Sequence, residues 1–237
     1  MVTKLLGVTA SLILGVAGIA SANGGNPTRF TVRAENITKP DAFTASNGVQ
    51  SSLAFSPGLA VVHTDKAPIF TAGKKDRGKG LEAQSEDGNP DMLAKSLQTS
   101  KGIKSVAVFN TPVGAGSPGP ITPGAAYEVT ISAISGDRLT LTTMMGQSND
   151  WFYGPGESGI ELFKHGKPIS GDISSQFMLW DAGTEMDQEP GIGPDQGPRQ
   201  KAPNTGKAAN GVVRKIQDGK AYSRASEVIR ITINPAQ

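Results

Sequence analysis

Polar and apolar residues alternate in short runs along most of this chain. Phe30, Val32 and Ala34 are separated by Thr31 and Arg33, the period-two pattern of a half-buried β-strand. Tyr127, Val129, Ile131 and Ala133 repeat it against Glu128, Thr130 and Ser132. Gly136-Asp137 then offers a turn into Leu139–Met145, so residues 126–145 read as a hairpin. Leu59–His63, Ser105–Phe109, Ile160–Phe163, Phe177–Trp180 and Val228–Ile233 add further strands, and thirty glycines and sixteen prolines supply the turns between them. One helix interrupts the pattern. Asn89 can cap it, Pro90 suits its first position, Asp91 complements its dipole, and Met92, Leu93, Ala94 and Leu97 offer an apolar face to a sandwich edge. Segments 110–124 and 187–211 are too rich in Gly and Pro for regular structure, and loops of that length usually carry function or disorder. No repeat or linker divides the chain. The expected fold is all-β, an antiparallel β-sandwich with one or two short helices and a strand from each end of the chain in its sheets.

The first residues change the picture by adding a compartment. Lys4 precedes a run from Leu5 to Ile19 that is apolar or small except at Thr9 and Ser11, and Ala20-Ser21-Ala22 forms a small-residue cleavage site. The run is short for a membrane span, which needs ~20 apolar residues. Residues 1–22 therefore read as a signal peptide and 23–237 as one β-sandwich domain beginning at Asn23. No later segment is apolar enough to cross a bilayer. About 215 residues suit a single large β domain. The chain has no cysteine, so its core forms without disulfides, which favours a bacterial protein, secreted or periplasmic. Asn36-Ile37-Thr38 matches a glycosylation sequon but reads as the end of a strand.

Charge adds little overall and something locally. The net charge of +2 falls to about +1 when Lys4 is lost, so charge alone calls for no nucleic-acid partner. Lys74, Lys75, Arg77 and Lys79 make a basic loop that reads as a solvated turn; Asp181, Glu185, Asp187 and Glu189 make an acidic one. Several motifs fail in context. Gly114–Gly119 fits GxGxxG, yet Pro118 and Pro120 forbid the helix that would hold a pyrophosphate. Gly73–Gly80 nearly fits a phosphate loop, but Gly80 stands where a hydroxyl should reach magnesium. Gly146-Gln147-Ser148-Asn149-Asp150 lacks the closing glycine of a nucleophile elbow. His63 and His165 form no HExxH pair, and His63 sits in an apolar strand as a structural histidine would. A binding protein is expected rather than an enzyme, with a paired-carboxylate hydrolase as the remaining catalytic alternative.

Two segments gather oxygen ligands beside large aromatics: Ser148-Asn149-Asp150-Trp151-Phe152-Tyr153-Gly154 and Leu179-Trp180-Asp181-Ala182-Gly183-Thr184-Glu185. Asp181 and Glu185, with Gly183 between them allowing a sharp turn, would converge with Asp150 on one cation. Ligation by oxygen alone selects calcium over zinc or copper. On the residues alone, a solvated acidic loop accounts for them equally well.

These two segments, with FTAGKKDRGKGLEAQSEDGNP earlier in the chain, resemble the spondin domain of F-spondin and mindin in a bacterial exported version, over roughly Phe30 to Ile233. The resemblance implies a sandwich similar to calcium-dependent membrane-targeting domains, with Ca2+ held by loops at one end. It places the metal ligands on Asp150, Asp181 and Glu185, the last standing where animal domains carry Asp. The animal cysteines and following repeat domains are absent, so animal partners do not carry over. The implied role is adhesion, or association with an extracellular matrix or surface through a protein, glycan or lipid. The alternative is a calcium-dependent lipid or glycan binder, with the basic loop meeting anionic head groups if it lies at the same end as the metal.

Overall fold

A computed structural model describes residues 26–236; the expected signal peptide and its cleavage site lie outside them. Two antiparallel sheets make the body. The smaller contains β1 (Thr28–Asn36), β4 (Ala126–Ala133), β7 (Gly171–Asp172) and β10 (Ile229–Pro235), in the order β7-β10-β1-β4. The larger contains β2 (Phe55–His63), β3 (Ile103–Phe109), β5 (Arg138–Met145), β6 (Trp151–Pro155), β8 (Phe177–Asp181) and β9 (Arg214–Lys215), in the order β9-β8-β6-β5-β2-β3. Ile160–Glu161 also pairs with β5.

Alternation explains how the sheets meet. Phe30, Val32 and Ala34 of β1, with Ile229, Ile231 and Ile233 of β10, turn inward onto Ala60, Val62, Leu139, Leu141, Tyr153 and Leu179 of the larger sheet. The terminal strands pair directly, Val32 facing Ile233. The larger sheet is covered on its outer face as well. There Leu59, Val61, Phe152 and Trp180 pack with Ile69, Phe70, Leu81, Leu93, Leu97 and Val213. A strand covered on both faces reads as a continuous apolar run, which is why every residue from Leu59 to His63 is buried.

The predicted helix is α2 (Asp91–Gln98), and Asn89 Oδ1 accepts the Asp91 N–H at 3.0 Å. Leu93, Ala94 and Leu97 are its buried residues. It covers the outer face of the larger sheet beside the edge strand β3, more than the edge itself. A second helix, α1 (Leu81–Glu86), precedes it. At six residues it is too short to show a helical period.

The 126–145 hairpin is corrected. Both strands form, but β4 pairs with β1 in the smaller sheet while β5 pairs with β2 and β6 in the larger. The turn closed by the Asp137 N–H on Ile134 O carries the chain from one sheet to the other. β5 is central, with seven of its eight residues buried, so it needs a strand on each edge, and these are β2 and the following strand β6 rather than the preceding β4.

Two polar residues behave as expected. His63 is fully buried, with Nδ1 against Asp65 O at 2.8 Å and Nε2 against Thr140 Oγ1 at 2.9 Å. Nδ1 must donate to that carbonyl, so Nε2 accepts from the threonine. Burial holds the His63 pKa below its ordinary value. Asn36 ends β1 fully buried and donates through Nδ2 to Leu53 O and Ile121 O.

Candidate metal centre

The site grows from the ends of two neighbouring strands. β6 and β8 are antiparallel, with Trp151 opposite Asp181, so Asp150, just before β6, adjoins the last residue of β8. The two tryptophans grip opposite faces of the sheet, Trp151 in the inter-sheet core and Trp180 under the helices. The strand ends are thereby fixed, and both aspartates are buried, Asp150 completely.

The segment after β8 then folds back over Asp150. Gly183 has φ +71°, and a Cβ there would stand 2.6 Å from Val212 N, so only glycine fits the turn. Its N–H donates to Asp181 Oδ1 at 2.6 Å. Asp150 Oδ2 accepts from the backbone N–H groups of Thr184 at 2.8 Å and Glu185 at 3.1 Å, and from the Thr184 hydroxyl at 3.2 Å. Asp150 Oδ1 is buried without a partner. Asp187 comes in from the far end of the segment, held by the Trp151 indole N–H on Oδ1 at 2.8 Å. Asp150, Asp181 and Asp187 each present an oxygen, all within 4.8 Å of one another.

Gathering carboxylates away from water raises the cost of ionising them. Burial, then the charges of Asp150 and Asp187, push the Asp181 carboxyl up to about 7, against the Gly183 N–H and Arg214. Burial also raises Asp150, with the Glu185 and Thr184 N–H groups opposing. A bound cation would reverse this, because coordination needs the ionised form.

Of the three residues expected from sequence, Asp150 and Asp181 meet. The Glu185 carboxylate lies outside that group of three. Its backbone N–H serves Asp150, and the carboxylate points toward Gly206, where a Cβ would fall 0.8 Å from Oε1. That oxygen is also buried without a partner, and burial raises the Glu185 pKa. Asp187, noted in the sequence only as part of an acidic run, supplies the third carboxylate. Its anchoring by Trp151, 36 residues away, leaves no local signal. Glu86, the last residue of α1, is a second addition. It is 3% exposed, and burial pushes its carboxyl up to about 8, with the Thr184 hydroxyl opposing and Glu185, Glu82 and Asp150 adding to the rise.

The basic loop lies beside this segment. Gly73 N–H donates to Val213 O and Val213 N–H to Lys74 O, both at 2.8 Å. Arg77 braces the loop through Ala67 O and Thr71 Oγ1. A cleft of about 260 Å³ is lined by Lys75, Asp76, Gly78 and Glu82 on one side and by Gly183, Thr184 and Asn210 on the other. No protein-family model matches this chain, and no curated protein matches it in sequence.

Proposed function

We propose that this chain is an exported, spondin-like sandwich that binds calcium and acts in adhesion or in association with an extracellular matrix or surface. The cation reading rests on one observation: oxygens of Asp150, Asp181 and Asp187 lie within 4.8 Å of one another around a buried, unpartnered Asp150 Oδ1. Three carboxylates without His or Cys suit a hard cation. Calcium takes six to eight oxygens, so backbone carbonyls and water would complete the shell. The spondin-like reading rests on SNDWFYG and LWDAGTE, whose acids include Asp150 and Asp181. A cation there ties the ends of β6 and β8 to the 181–187 segment and so sets the surface offered to a partner. Calorimetric titration of chelator-treated protein with calcium chloride tests this. One site is expected, lost in Asp150→Asn and Asp181→Asn and retained in Glu185→Gln. Absence of binding, or an Asp181→Asn variant that titrates like the parent, would sink the reading.

A second reading, calcium-dependent binding to an anionic lipid or glycan, is favoured by the cleft that Lys75 shares with Gly183 and Thr184. A lysine near an anionic bilayer adds ~1 kcal/mol. Sedimentation with phosphatidylserine vesicles and with an acidic polysaccharide, each in calcium and in chelator, separates these readings from protein-mediated adhesion.

A further inference from the structure

Arg214 opens β9 directly opposite Asp181. Its Nη2 lies 2.5 Å from Asp181 Oδ2 and 2.7 Å from Asp187 Oδ2, so one nitrogen bridges two of the three clustered carboxylates. Calcium–oxygen distances are about 2.3–2.6 Å. Relative to those two oxygens, Nη2 therefore stands where a coordinated calcium ion would stand. Two cations cannot share that position. The partners also differ in freedom: the Arg214 side chain is 54% exposed and the Asp181 side chain 4%. The long arginine can swing into water while the buried aspartate stays.

We propose that Arg214 is a tethered competitor for the cation position, and that a divalent ion binds by displacing its guanidinium from Asp181 and Asp187. The inference rests on the cation reading above and adds a residue that sets its affinity. A built-in competitor weakens binding, which suits a module loaded at the ~10⁻⁴–10⁻³ M affinities of extracellular calcium sites.

Calcium titration of the parent, Arg214→Ala and Arg214→Gln at one ionic strength tests it, alongside the NMR signal of the Arg214 Nε–H in the parent. Both variants are expected to bind calcium at least tenfold more tightly. In the parent, the Arg214 signal should move to the position of a solvated arginine as calcium saturates. Equal or weaker binding by the variants overturns the proposal and leaves the cation reading standing. An Arg214 signal unmoved at saturation overturns it too, without depending on any variant. Binding by none of the three removes the cation reading and this inference together.

Discussion

Chelator-treated protein should become more stable as the pH falls from 8 toward 5, the reverse of ordinary acid denaturation. The cause is the burial of the Asp181 carboxyl, with the charges of Asp150 and Asp187 adding to it. That carboxyl is raised from 3.8 to about 7, so between those values the folded state holds a proton that the unfolded chain releases. A raised acid contributes stability that is fully present below the unfolded value and is lost as pH rises through the folded one. Between pH 5 and 7 the proton held only by the folded state corresponds to at most ~3 kcal/mol, and a net change on the order of 2 kcal/mol is expected once the segment relaxes. Asp150 and Glu86 are raised as well and act in the same direction. Asp172 and Asp218, held low by their hydrogen bonds to Ser174 and Tyr222, lose their contribution only below this window. His63 opposes the trend below its ordinary value of 6.5, because its buried ring resists protonation. Comparing the parent with Asp181→Asn cancels the histidine. Urea unfolding of both proteins at pH 5, 6, 7 and 8, in chelator and in saturating calcium, is the assay. The parent in chelator should lose stability as pH rises, Asp181→Asn should lose less, and calcium should abolish the loss by holding the carboxylates ionised. Parallel pH profiles for parent and variant would refute the reasoning.

Two further outcomes are expected. Gly183→Ala should destabilise the fold by about 2 kcal/mol or more, since it joins an unfavourable φ to a clash with the Val212 backbone, and its denaturation midpoint measures this. Trp151→Phe keeps most of the buried ring but removes the N–H that holds Asp187, so calorimetry should show calcium binding weakened by about tenfold, with charge-assisted bonds contributing ~1.5–3 kcal/mol.

The alternation at both ends of the chain made the smaller sheet legible, because its strands bury one face and leave the other to solvent. The run Leu59–His63 was legible as a strand, but its second buried face was not, since the covering residues come from segments 69–97 and 213. The hairpin reading failed because a turn signal fixes only that the chain reverses. Which edges then pair depends on strands elsewhere, here β1 for one arm and β2 and β6 for the other. At the site, Asp150 and Asp181 could be read because each adjoins a tryptophan at a strand end, and Gly183 because a positive φ demands it. Asp187 and Arg214 could not. One depends on an indole 36 residues away and the other on a two-residue strand.

The pairing of β1 with β10 also sets how the molecule would carry load. Phe30 faces Pro235 and Asn36 faces Ile229 across seven antiparallel positions. Whatever precedes Thr28 and follows Pro235 thus leaves from the same corner on adjacent strands. Tension between those two points pulls across the ladder and breaks its rungs one at a time, starting at the corner, because the hydrogen bonds lie perpendicular to the strands. Tension between that corner and a partner gripping the 181–187 segment runs differently. It must pass from one sheet to the other through the shared apolar core and load many contacts at once. Such a domain peels readily when stretched between its own ends and resists when pulled through its loops, a mechanical polarity set by strand order alone.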